Sequence, residues 1–148
     1  MDKTLKIYIF KDQVIANMSN YLKSINFEFV KFEEGVNLWK EKTITIVYNN
    51  EFREISIYYS PSEDDKHLEF VLIHIHKFPI NTGTASINKL LQKKGIDFES
   101  NFYKEGIDFE NMVTDYCRYL IFLFDTYLKT TLTGEEWIDI PVDWYGYK

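Results

Sequence analysis

The sequence predicts an α+β fold: an antiparallel meander of about four strands over residues 27–77, with an N-terminal helix and C-terminal helices packed on one face. Three observations carry this expectation. Apolar residues change from helical spacing to alternation at Phe27. Two alternating runs flank Asn49-Asn50 with matching parity. Residues 109–132 then read as one long helix that is apolar around most of its circumference. With 148 residues, 45% hydrophobic and 27% charged, the chain fits a single globular domain, residues 1–148, long enough to bury a core.

In order along the chain, Leu5, Ile7 and Ile9 alternate with Lys6, Tyr8 and Phe10, which reads as a short strand or an irregular lead into a helix. Asp12 is placed to cap a helix carrying Val14, Ile15, Met18, Tyr21, Leu22 and Ile25 on one face. Residues 27–32 form a strand ending near Glu33-Glu34-Gly35, and Trp39, beside Val36 and Leu38, reads as a core or rim residue. Residues 43–48 and 51–59 make a hairpin. A two-residue Asn49-Asn50 loop would set Tyr48 opposite Glu51 and Ile44 opposite Ile55, with Ile44, Ile46, Ile55 and Ile57 on one face. Residues 67–77 supply the next strand, and Pro79 with Asn81-Thr82-Gly83-Thr84 ends the sheet. A short helix follows over residues 85–94, with Thr84 as cap and Gly95 as stop.

The pentapeptide Gly95-Ile96-Asp97-Phe98-Glu99 recurs as Gly106-Ile107-Asp108-Phe109-Glu110. Helix punctuation accounts for it: glycine stops one helix, and aspartate and glutamate suit the positive start of the next. In the helix over residues 109–132, Val113, Tyr116, Leu120, Leu123 and Tyr127 form a stripe that Cys117, Ile121, Phe124 and Leu128 widen. Phe122 falls in the remaining polar strip, so either the C-terminal tail covers it or it is a contact.

Composition narrows the function classes. A net charge of −6 works against generic binding to nucleic acid. Arginine occurs only at Arg53 and Arg118, and the abundance of Lys, Asn, Ile, Tyr and Phe is that of an AT-rich bacterial genome. One cysteine, Cys117, leaves no internal disulfide, and its apolar neighbours make it a buried thiol rather than a nucleophile. Residues 5–10 do not make a secretion signal and no apolar run reaches the length of a membrane span, so the cytoplasm is the default compartment. Phosphate loops, serine-nucleophile elbows and zinc-binding spacings are missing from the sequence. No cofactor, catalytic residue or metal ligand is therefore assigned.

Two constellations remain. His74 and His76, two apart in a strand, share a face with Leu68, Phe70 and Leu72 and could hold a metal or small ligand at the sheet rim if a third ligand joined them. The tail, residues 135–148, gathers four carboxylates and four aromatics around Pro141. Its expected partner-binding set is Glu135, Glu136, Trp137, Asp139, Asp143, Trp144 and Tyr145: aromatic anchors beside charges that match a basic site. Trp137, Ile138, Ile140 and Trp144 could equally close the core, with the carboxylates outward.

The expectation is a binding protein rather than an enzyme. By analogy of class alone, with no motif behind it, the profile is that of bacterial immunity proteins, small acidic chains that occlude a basic partner such as a toxin domain. The alternative is a metal- or ligand-binding protein or enzyme using His74 and His76, and a third reading is a homodimer built on Phe122 or an edge strand.

Overall fold

The computed structural model of the chain describes residues 1–63, 67–68, 71–79, 82–99, 102–103 and 106–139. The fold is α+β. It starts with helix α1 (Lys3–Ser24) and strands β1 (Glu28–Val36), β2 (Lys42–Asn49), β3 (Arg53–Tyr59), β4 (His67–Leu68), β5 (Val71–Lys77) and β6 (Thr84–Ser86). Helix α2 (Ile87–Lys93), strand β7 (Phe102–Tyr103) and helices α3 (Phe109–Leu123) and α4 (Lys129–Leu132) complete it. The main sheet has five antiparallel strands in the order β1-β2-β3-β5-β6, one more than the sequence predicts, and β4 and β7 pair separately.

The extra strand arises because residues 82–84 turn the chain back rather than ending the sheet. Lys77 N–H donates to Gly83 O at 2.8 Å, and β6 then runs along β5. Ser86, not Thr84, caps α2, accepting from Lys89 N–H at 3.2 Å. The strand expected over residues 67–77 is divided between β4 and β5. Leu68 therefore joins the buried core opposite Phe102 and does not share the face of His74.

At the N-terminus no strand forms. Asp2, rather than Asp12, is the cap, accepting from Thr4 and Leu5 N–H. One helix then buries Ile7, Phe10, Val14, Met18 and Leu22, a spacing of three or four throughout. The short alternation at Leu5, Ile7 and Ile9 is overridden by this longer period. Strand β1 runs past the predicted stop at Glu33-Glu34-Gly35 as far as Val36.

The β2–β3 hairpin keeps the predicted face but not the predicted register. Ile44 lies opposite Tyr59, Ile46 opposite Ile57 and Tyr48 opposite Ile55. Asn50 decides this: its side-chain oxygen accepts from Phe52 N–H at 2.9 Å and Arg53 N–H at 2.8 Å, and its own N–H donates to Arg53 O. That side-chain-closed turn is longer than a two-residue loop, and it moves the pairing by an even number of residues, which preserves the faces.

Core packing links the layers through aromatics. Tyr59 of β3 stacks on Phe10 of α1 at 4.4 Å and faces Phe109 of α3 at 6.3 Å. Asp108 caps helix α3, accepting from Asn111 N–H, so the second pentapeptide copy does punctuate a helix; in the first, only Gly95 (φ +76°) serves as a stop. A π-helical turn, Phe124–Leu128, lies between α3 and α4. Phe124, Leu128 and Leu132, spaced by four, all stay buried across this turn.

Cys117 is buried in this helix, and burial pushes its thiol up to about 12. The folded protein should therefore resist iodoacetamide at mildly alkaline pH and react once denatured, as read by mass spectrometry. Rapid labelling of the folded chain would contradict the packing.

Candidate functional site

The described part of the tail is docked. Gly134 (φ +86°) turns the chain at the end of α4, in a conformation that favours glycine, and an added Cβ would lie 2.5 Å from Phe52 Cγ. Glu135 and Glu136 N–H then donate back to Thr130 O. Arg53 holds the junction together. Its buried guanidinium donates to Thr131 O at 2.8 Å, Phe52 O at 3.0 Å and Glu136 O at 3.0 Å, and it lies 5.0 Å from the centre of the Trp137 ring. Burial lowers its pKa from the ordinary value. The carbonyls are its counterweight: those at the end of a helix carry partial negative charge.

Each residue of the predicted partner set can be placed against this junction. Trp137 is half-buried, packed on Gly83 so closely that a Cβ there would come within 2.9 Å of its Cζ2, and Nε1 donates to Asp139 Oδ1. Ile138 also packs on the core. Glu136 pairs with Lys94 at 2.8 Å, and that contact, with the Thr130 hydroxyl, holds its carboxyl below the usual range. Glu135, Glu136 and Asp139 are all exposed. Asp143, Trp144 and Tyr145 lie outside the described residues, as do Ile140 and Pro141. Trp137 thus packs into the fold, and Glu135, Glu136 and Asp139 keep their carboxylates at the surface, that of Glu136 paired with Lys94.

His74 and His76 do share the outer face of β5 with Leu72. Both ring nitrogens of His76 are engaged, Nε2 with Ser56 Oγ at 3.2 Å and Nδ1 with Thr84 Oγ1 at 2.9 Å, so it ties β3 to β6 across β5. His74 lies 6.3 Å from it, centre to centre. Among the described residues, no group of three potential metal ligands gathers here or elsewhere.

Burial, and next the neighbouring His76, lower the pKa of His74. A depressed histidine stays neutral in the folded chain while the unfolded chain takes up a proton. Its stabilising effect is thus complete above the ordinary histidine pKa and is lost as pH falls through the folded value. The urea midpoint should fall between about pH 7.5 and about pH 5, and fall less in His74→Gln.

The surface with the most unusual exposure was not anticipated. The β1–β2 hairpin closes through Asn37, whose N–H donates to Glu41 O at 2.9 Å and whose side-chain oxygen accepts from Trp39 and Glu41 N–H at 2.9 and 3.0 Å. Its amide nitrogen donates to Ser60 Oγ at 3.2 Å, and Lys3 pairs with both Glu41 and Glu63. Lys40 (φ +60°) completes the turn. This fixed turn holds Leu38 94% and Trp39 77% exposed, correcting the core or rim placement.

Beside the turn lies an open groove of about 630 Å³, lined by Trp39, Glu41, Tyr58, Ser60, Pro61 and Leu72 among others. Leu72 is itself half exposed, so the tip and the groove wall form one apolar area rimmed by Glu41 and Glu63. The sequence signal was the run Asn37-Leu38-Trp39-Lys40, an asparagine able to bond two backbone amides ahead of it, with no apolar periodicity to draw its residues inward. Phe122 of α3 is a lesser exposed aromatic at 55%, set edge-on to Tyr127 of the π-helical turn; the tail through Asp139 docks elsewhere.

Comparisons with protein-family models, curated proteins and solved structures return no match to this chain. No helix among the described residues is long and apolar enough to cross a membrane.

Proposed function

We propose that the chain is a protein-binding module that docks on a basic protein through the β1–β2 hairpin tip and the adjoining groove, in the manner of an immunity-type inhibitor that occludes its partner. The observation that carries this reading is the pair Leu38 and Trp39, held almost fully exposed by a turn with its own side-chain hydrogen bonds and an ion pair. Leaving a tryptophan in water forgoes burial, and a rigid turn loses little entropy when a partner covers it. Aromatic anchors at the centre of an interface slow release.

Charge supports the choice of a basic partner. The net charge of −6 favours encounter with a positive surface, and Glu63, 92% exposed, stands at the groove. A photo-crosslinking residue at position 39 should capture one basic protein in source cells, whereas the same residue at position 122 should not. Capture from position 122 alone would count against the tip.

A further inference from the structure

Among the described residues, strand β1 ends the sheet with no strand paired to its outer edge, and all nine of its residues are exposed. Proteins commonly blunt such an edge, because it invites another strand. A bulge at Val30, between Phe29 and Lys31, does this in part. The stretch beyond the bulge keeps regular pairing with β2: Lys31 opposite Val47, Phe32 opposite Ile46 and Glu33 opposite Thr45. Lys31 and Glu33 therefore share the outer face, where they form an exposed ion pair at 2.6 Å. Phe32 is on the inner face, 43% exposed, with Lys11 at 4.3 Å from its ring centre.

We propose that β1 pairs antiparallel with β1 of a second copy of this chain about a two-fold axis at Phe32, joining two sheets into one. The charge pattern is self-complementary in that register. Lys31 meets the second copy's Glu33 and Glu33 meets its Lys31, while the two Phe32 rings face each other. Moving the axis one residue either way sets Lys31 against Lys31 or Glu33 against Glu33, so the same charges that select this register oppose its neighbours. Phe29, Val30 and Phe32, each more than two-fifths exposed, would lose water-facing surface in the pair. The hairpin tip lies beyond the paired stretch, so this inference stands apart from the proposed docking of a partner there.

The bulge keeps the seam short, so the dimer should be weak and visible only at high concentration. In sedimentation equilibrium, the average mass of the full chain should rise toward twice the monomer value between about 1 and about 200 µM. Lys31→Glu and Glu33→Lys should each weaken association about tenfold or more, since each puts two like-charge contacts in the seam. The double exchange Lys31→Glu/Glu33→Lys should restore it. Circular dichroism checks that each variant is folded, and either single variant suffices if the other is not. Trp39→Ala should associate as the parent chain does. A monomer at every concentration, or a dimer indifferent to both single exchanges, overturns the proposal.

Discussion

Arg53→Ala is expected to destabilise the protein by about 3 kcal/mol, because hydrogen bonds from a buried charged donor contribute more than neutral ones and three carbonyls lose their partner together. For a chain of this length that corresponds to a fall in Tm of roughly 10 °C. The mechanism lies in what the side chain joins: the β2–β3 turn through Phe52, the end of α4 through Thr131 and the tail through Glu136. Arg53→Lys keeps the charge, but a single ammonium cannot reproduce the planar fork, so it should recover less than half of the loss. Trp137→Ala should be strongly non-additive with Arg53→Ala, since removing either disturbs the same stack. Thermal unfolding of the four chains tests this; additive losses would place Trp137 outside the junction.

Trp39→Ala is expected to weaken binding of the captured partner by about a hundredfold, the scale of an interface hot spot, with most of the change in the dissociation rate. Folding should be untouched, because the ring lies 77% in solvent and the turn is held by Asn37 rather than by Trp39. Leu38→Ser should act in the same direction. Glu63→Lys should instead slow association, with an effect that shrinks as salt is added. Surface plasmon resonance separates the two rates. An unchanged dissociation rate in Trp39→Ala would remove the anchor from the proposal.

Periodicity made much of this fold legible. The inward face of β2 and β3 follows from alternating isoleucines, and the last helix from its broad apolar surface, because burial repeats at every turn or every second residue. What stayed hidden depends on single polar side chains. Asn50 sets the hairpin register, Asp2 starts α1 a full ten residues ahead of the predicted cap at Asp12, and Ser86 rather than Thr84 begins α2. Local hydrogen bonds of this kind leave no repeating trace in a sequence.

The site was less legible than the fold, for a related reason. Composition drew attention to the aromatic tail, yet Trp137 and Glu136 are committed to Arg53, Gly83 and Lys94, residues distant in sequence. Arg53, one of only two arginines among many lysines, was the available hint of that junction. Trp39 carries the converse lesson. Its apolar neighbours Val36 and Leu38 suggested burial, but the Asn37 turn carries all three to the surface.

Hydrogen–deuterium exchange of the chain with and without its captured partner tests the central claim most directly. The account predicts protection across residues 37–41 and 58–63, the tip and the groove wall, with exchange around Phe122 unchanged. Protection confined to the tail or to Phe122, with the tip still exchanging freely, would contradict it.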